Sequence, residues 1–345
     1  MEIDDRKIKI LEAIINDYIN TGEPVGSRTI ARKYELGVSS ATIRNEMADL
    51  EEMGYLEQLH TSSGRKPSDK GYRLYVDKLM KAHQITPQEE LIIKGMLIDA
   101  ALFEVDKIIR QASLVLSKLT QLTCIVKAPS VRKSYLKALQ LINIDRGSIL
   151  LIIVTDSGII KNNMIRVNNP IDAEMLVKLN NMLTARLKNL TIEDINLEVI
   201  NNIKRDLQGY EDIFNAIIPA LYECLNEEEN ADMIMEGETN ILQYPEYNDI
   251  VRAKEFISFL DDKESLKKIL PETADATISI GGENYVPGAR EYSIISRAYS
   301  KGDRPLGSIG IIGPTRMDYS KVISLLNTVI ELLNRNINGF DKWRG

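Results

Sequence analysis

Histidine is nearly missing from this 345-residue chain, which holds only His60 and His83. That disfavours His-based acid–base relays and His-rich metal sites and leaves an enzyme little beyond carboxylate chemistry. Cysteine is equally scarce. Cys124 and Cys224 stand 100 residues apart, which spells out neither a disulfide framework nor a zinc site, and both read as small buried apolar side chains. No run approaches the roughly 18 uncharged apolar residues of a membrane span. The nearest, SILLIIV at 148–154, is strand-length and ends at Thr155-Asp156. The first residues, MEIDDRKIKI, are charged and lack the apolar core of a secretion signal, so a cytoplasmic protein is expected. An excess of positive charge is lacking too: 43 Lys and Arg face 50 Asp and Glu, a formal net charge of -7.

Catalytic and cofactor motifs are also missing. Gly281-Gly282 follows a strand-like run but lacks the GxxxxGK[ST] of a phosphate loop. Gly313-Pro314 reads as a strand-to-helix turn, Glu227–Glu229 as a solvated helix end. The pair Asp261-Asp262 has no partner with which to do acid–base work. There is no internal repeat or low-complexity segment. The reading is therefore a non-enzyme with no cofactor and no metal.

What the chain does have is 44% hydrophobic residues, enough for two or three packed domains. It also has one segment in which positive charge gathers. LHTSSGRKPSDKGYR, 59–73, has no apolar residue between Leu59 and Tyr72 and sets His60, Arg65, Lys66, Lys70 and Arg73 against Asp69 alone. The elements before it explain why. Ile8, Leu11, Ile14, Ile15, Tyr18 and Ile19 draw one apolar helix stripe behind Asp4-Asp5, stopped by Gly22 and Pro24. A short helix over Ser27–Tyr34, capped by Ser27, and a turn at ELGVSS follow. The next helix, ATIRNEMADLEEM, is capped by Ser39 or Ser40 and buries Ile43, Met47, Leu50 and Met53. YLEQLH alternates as a strand, and GYRLYV reads as the strand returning.

Helix, helix, turn, helix, strand is the order of a winged helix-turn-helix, and the cationic segment falls where the wing belongs. A wing lying along DNA needs cations for phosphates, short hydroxyls as donors, and Gly or Pro to narrow the loop. That picks out His60, Thr61, Ser62, Ser63, Arg65, Lys66 and Lys70. On the recognition helix, Ser39, Ser40, Thr42, Arg44 and Asn45 suit phosphates and base edges, with Ser27 and Arg28 flanking them. Glu46, Asp49, Glu51 and Glu52 lie toward its far end. The domain is not basic, since residues 1–80 hold 12 Lys and Arg against 14 Asp and Glu. DNA binding would therefore rest on how charge is sorted.

The run EPVGSRTIARKYELGVSSATIRNEMADLEEMGYLEQLHTSSGRKPSDKGYRLYVD, 23–77, closely resembles the N-terminal region of the HrcA family, heat-inducible transcription repressors of bacteria. IGGEN (280–284) and IGPTRMDYSKV (312–322) resemble that family's C-terminal segments. Ser63 stands where Ala is usual and Lys66 where an apolar residue is usual, which adds a charge to the wing. The resemblance implies an α+β multidomain chain: a winged helix-turn-helix over 1–78, a GAF-like α/β domain in two segments, 79–170 and 240–345, and an inserted, mostly helical dimerising domain over 171–239. It implies a homodimer on an inverted-repeat operator of double-stranded DNA, the CIRCE element, repressing chaperone operons, with activity that depends on the GroEL chaperonin. The alternative is a metabolite-responsive regulator of the IclR type, which would need a roomy hydrophilic pocket in the GAF-like domain.

The remaining segments fit that layout. Thr86-Pro87-Gln88-Glu89 reads as a capping box opening a helical pattern to about Gln121, broken near Ala100–Phe103. TCIVKAP, LKALQLINID, SILLIIVTDSG and IIKNNMIRV read as a meander with hairpin turns at Asp145-Arg146-Gly147 and Asp156-Ser157-Gly158. Helices are expected over Asp172–Lys188, Asp206–Asn226 with Pro219 inside, Ile250–Leu260 and Ser265–Leu270. A second β set, ATISIGGEN, YSIISRAYS and GSIGIIGP, precedes a last helix at Tyr319–Asn336.

Overall fold

The computed structural model describes residues 3–58, 64–99, 105–130, 134–225, 233–271 and 273–339. Helix α1 (Asp5–Thr21) starts where the Asp4 carboxylate accepts the Lys7 amide at 2.8 Å and ends at Gly22, whose φ of 70° only glycine adopts without strain. Its buried residues Ile10, Leu11, Ile14 and Ile15 meet Ile30 of α2 (Ser27–Lys33) and Ile43, Met47 and Leu50 of α3 (Ser40–Glu52) in one core. Strands β1 (Leu56–Gln58) and β2 (Arg65–Pro67) pair antiparallel, and a single bridge ties Arg65 to Val25.

The chain then departs from the expected returning strand at GYRLYV. The return is β2 itself, and the next residues form α4 (Asp69–Leu74) followed by a π-helical turn, Tyr75–Leu79. Ser68 decides this. Its hydroxyl accepts the Gly71 amide at 3.1 Å and donates to the Gly54 carbonyl at 2.6 Å, which makes it an N-cap with Asp69 in the first turn. Ser27 also differs from expectation: Gly26 is the N-cap of α2, without a side-chain bond, and Ser27 is the first helical residue.

Residues 80–86 carry neither helix nor strand. The capping box is formed as expected: the Glu89 amide donates to the Thr86 hydroxyl at 3.2 Å and the Thr86 amide to Glu89 at 2.8 Å. It opens α5 (Pro87–Asp99), and α6 (Val105–Thr120) follows, with the break at Ala100–Phe103 outside the described residues. After β3 (Thr123–Lys127) comes the meander of β4 (Leu136–Asp145), β5 (Ser148–Thr155) and β6 (Ile160–Arg166). Then come α7 (Ala173–Leu187), α8 (Leu197–Asp206) and α9 (Glu211–Leu225). The helix expected over Asp206–Asn226 thus begins later, because Gly209, at φ 86°, turns the chain between α8 and α9. The last part contributes β7 (Met233–Glu236), α10 (Ile250–Asp261), α11 (Lys263–Ile269), β8 (Thr277–Ile280), β9 (Tyr292–Lys301), β10 (Arg304–Pro314) and α12 (Tyr319–Gly339).

Besides the β1–β2 hairpin, two sheets form among the described residues. The five-stranded one has the order β7-β3-β10-β9-β8, every pair antiparallel. One face, with Cys124, Val126, Ile295, Ile309 and Ile311, lies in the same core as α6 and α12, and that core continues into the winged helix. The other face, with Ile125, Ile294 and Ile312, packs on Phe256, Phe259, Leu260 and Leu266 of α10 and α11. The meander pairs only with itself. Leu139, Leu141, Leu151, Ile153 and Ile165 meet Leu179, Leu183, Ile203, Ile217 and Leu221 of α7 to α9 in a second core. Residues 136–166, which the expected division places in the GAF-like segment 79–170, pack here on α7 to α9 of the expected insert, and β3 belongs to the five-stranded sheet.

The meander's core shares no residues with the clusters on either face of the five-stranded sheet, so it should unfold as a transition of its own. Leu183 is fully buried in the insert. Leu183→Ala should lower the midpoint of one urea transition by an amount equivalent to about 2–5 kcal/mol and leave the other in place. A single transition shifted as a whole would show the two cores to be one cooperative unit.

Candidate nucleic-acid interface

Helix α3 is held from three sides. At its start, the Ser39 hydroxyl accepts the Thr42 amide at 3.1 Å and lies 3.0 Å from the Thr42 hydroxyl, with Ser39 itself exposed in extended backbone. Along its length, Ile43, Met47 and Leu50 enter the core. The opposite stripe, at the i, i+3, i+4, i+7 spacing of one helix face, is Ala41, Arg44, Asn45 and Ala48, all exposed. Two methyl-sized residues thus flank a guanidinium and an amide, a surface slim enough to enter a major groove. The sequence reading had named Arg44 and Asn45. It passed over Ala41 and Ala48 because small apolar residues carry no polar signal; the heptad spacing could have found them.

Three of the four acids of α3, all but the exposed Glu52, are bound inside the domain. Lys7 Nζ sits 2.8 Å from Glu46 and 3.1 Å from Asp49, with Arg6 3.4 Å from Glu46. The hydrogen bond to Glu46 first, then that to Asp49, holds the Lys7 ammonium charged well above the ordinary lysine range. Glu51 accepts Arg65 Nε at 2.7 Å. By contrast Arg28, Arg32 and Arg44 are exposed and form no ion pair with any described residue. Glu46, Asp49 and Glu51 are thereby paired within the domain, while these three arginines have no acid partner among the described residues.

The wing strand is anchored differently from the expectation of free cations. Lys66 pairs across the hairpin with Glu57 at 3.1 Å, and Lys70 donates to the Met53 carbonyl at 2.8 Å over the Tyr55 ring. Arg65 ties the wing root to the end of α3 through Glu51. Gly64 is pressed so close to Pro24 that a Cβ would lie 2.5 Å from its carbonyl oxygen. His60, Thr61, Ser62 and Ser63, the expected wing tip, lie outside the described residues. Ser27 is half-buried at the start of α2, and Arg28 beside it is exposed. Among the described residues no cluster of three or more His, Cys, Asp or Glu is placed to hold a metal ion, and no helix is long and apolar enough to cross a membrane.

A family model described as the HrcA protein C terminal domain matches residues 106–323. The heat-inducible transcription repressor HrcA of Clostridium botulinum (strain Alaska E43 / Type E3) is 60% identical over 343 residues, 99% of this chain and 100% of that protein. The protein of the same name from Clostridium acetobutylicum is 56% identical over 338 residues, 98% of each. Among solved structures, a hypothetical protein determined at 2.2 Å has the same fold, with a TM-score of 0.74 over 98% of this chain and 99% of that one at 22% identity.

The charge sorting can be tested at Lys7, which reaches no exposed part of α3. Lys7→Met frees Glu46 and Asp49 beside the candidate surface. Binding to any duplex should weaken severalfold at low salt, and the gap to wild type should close as the screening length falls from about 10 Å at 0.1 M toward roughly 3 Å at 1 M. A gap that salt leaves unchanged would mean that Lys7 acts through folding and not through the field.

Proposed function

The chain belongs to the HrcA family of heat-inducible transcription repressors, and from that premise we propose that it is a cytoplasmic homodimer whose two winged helices hold an inverted-repeat operator, the CIRCE element, ahead of chaperone operons. The observation that carries this is the exposed stripe Ala41, Arg44, Asn45 and Ala48, beside which Glu46 and Asp49 are paired with Lys7. In this reading Arg44 and Asn45 read base edges. Ser39, Ser40, Thr42, Ser27 and Arg28 bind phosphate around them. The wing, His60 to Ser63 with Arg65, Lys66 and Lys70, lies on the backbone, where Arg65 and Lys66 exchange Glu51 and Glu57 for phosphate.

A second copy is supported by the meander's uncovered face. The register aligns Ile142 with Leu150 and Met164, Gln140 with Ile152, and Val154 with Ile160, on the side away from α7 to α9. Met164 is 53% exposed and Ile144 52%, an apolar strip that one chain leaves open. Two half-sites also supply the specificity that one winged helix lacks. Dependence on the GroEL chaperonin fits a chain of two cores whose incomplete docking would bare apolar surface. The chaperonin then raises the DNA-competent fraction without touching the operator. The metabolite-responsive alternative draws no support from the cavity of about 370 Å³, which lies in the insert between 167–175 and 209–213 and not in the five-stranded unit.

Arg44→Ala should cost about 1–3 kcal/mol of operator binding and relax preference at one base pair, measured by titration against operator variants; wild-type affinity would end the groove assignment. Met164→Lys should shift sedimentation toward monomer at micromolar concentration and leave the winged helix folded. An unchanged dimer would place the two-fold elsewhere.

A further inference from the structure

Two C-terminal segments that the DNA-binding surface does not use close on the winged helix from two sides. On the first side is the turn after β8. Arg73 of α4 donates from Nε to Glu283 at 2.8 Å and from Nη2 to the Ile278 carbonyl at 2.7 Å, and a second bond joins Nη2 to Glu283. Glu283 is itself fixed by the Ile280 amide at 2.9 Å. Beside it the Gly282 amide donates to Asp69 at 2.8 Å. Gly281, at φ 51°, lies against the Asp69 side chain: a Cβ there would lie 2.3 Å from the carboxylate.

On the second side is the turn between β10 and α12. Arg316, 7% exposed, donates from Nη1 to the Ile19 carbonyl at the end of α1 at 3.2 Å and from Nη2 to Glu246 at 2.9 Å. Its guanidinium lies 3.0 Å from where a Cβ on Gly22 would stand. Between the two sides the Tyr72 ring, 1% exposed, meets Tyr319 at 5.7 Å, and Tyr319 is pinned by the Thr315 carbonyl and the Ser293 hydroxyl. The covalent link, by contrast, is the irregular stretch 80–86.

We propose that Asp69, Arg73 and Arg316 are positioning residues for operator recognition: with Glu283, Gly282 and Glu246 they clamp the winged helix at one angle to the body and so set the half-site spacing that the dimer accepts. The clamp rests on the dimeric reading above. Its physical content is effective concentration. Once one winged helix is bound, a rigid partner is presented at one distance and one face of the duplex. A partner swinging on residues 80–86 is presented over many, each at lower effective concentration.

The test uses the full chain and three synthetic duplexes: the inverted repeat that the chain protects in footprinting, the same repeat with one half-site moved by about 5 base pairs to the opposite face of the helix, and a single half-site. Wild type should prefer native to shifted spacing by about 100-fold or more. In Glu283→Gln and Arg73→Gln the native spacing should weaken roughly 10-fold, the preference should collapse to a few-fold, and half-site affinity should stay as in wild type. Arg73→Lys keeps the charge but not the fork and should fall between. Full spacing preference in both Gln variants, with sedimentation still dimeric, overturns the clamp alone. Loss of half-site affinity in step with the native site overturns it too, because these residues would then serve the winged helix's own fold. A wild-type chain that sediments as a monomer and ignores spacing removes the dimeric reading and the clamp together.

Discussion

A guanidinium cannot be buried without partners, and Arg316 is the point where that requirement shapes the molecule. Burial opposes its charge, and the hydrogen bonds it donates to Glu246, together with the field of Glu246, Tyr244 and Tyr18, more than offset it. The partners come from two stretches far apart in sequence: the Ile19 carbonyl at the end of α1, and the Glu246 carboxylate with the face of Tyr244, 5.0 Å away. The end of α1 is also where Gly22 turns the chain toward α2, so whatever fixes Arg316 fixes the frame from which the recognition helix projects. The five-stranded sheet supports this in turn, since β10 leads directly into the turn that holds Arg316, and Tyr319 opens α12 one step later. The DNA-binding domain is thus seated on its partner through the same core that α6 and α12 build on the sheet.

Binding a polyanion with an acidic chain poses a second constraint, and it is met by placement and not by composition. A carboxylate that already faces a lysine or arginine at hydrogen-bond distance projects little field beyond the pair. Lys7 cancels two acids of α3, and Arg65 a third. Lys7 comes from α1, Arg65 from the wing, and both also hold those elements against α3. The same contacts therefore orient the helix and clear its outer face. Arg65 and Lys66 carry a cost in this scheme: each must give up an intramolecular acid to meet phosphate. Their net contribution to binding is the difference between two exposed charge pairs, each worth about 0–1 kcal/mol.

Much of this was legible in the sequence where the signal is local. Ser39, Asp4 and Asp172 cap the helices they precede, and Thr86 with Glu89 closes its box, because capping involves only residues three apart. The apolar stripe of α1 and the hairpin turn at Asp145 to Gly147 fall in the same class. The misses are of another kind. GYRLYV has strand-like residues, yet its fate is set by Ser68, whose second partner, the Gly54 carbonyl, is brought near only by the β1 turn. The partners of 136–166 were not legible because β texture says that a strand forms, not which sheet receives it; the meander pairs with itself and sets its inner face on α7 to α9. The wing cations Arg65 and Lys66 are adjacent in β2. That they have partners depends on Glu51 and Glu57, placed opposite them by the hairpin register and the end of α3.

The same features bear on heat. A repressor that fails on warming needs an element less stable than its cores, and elements of that kind have few apolar contacts and many exposed polar ones. The seat of the winged helix combines both extremes. Its rim is Arg73 with Glu283, whose side chains are 30% and 35% exposed, a pair of the sort worth about 0–1 kcal/mol. Its centre is Tyr72 on Tyr319, where the Tyr72 hydroxyl is buried without a hydrogen-bond partner among the described residues. An unpaired buried hydroxyl costs about 1–3 kcal/mol, a sizeable part of what an aromatic contact returns. Neither the α1–α3 core nor the sheet need melt for this seat to open, because residues 80–86 leave the two units joined by coil alone. Release would bare Tyr72, Tyr319 and Ile280 at once. Loss of the winged helix's fixed angle and exposure of apolar surface would then be two consequences of one local event.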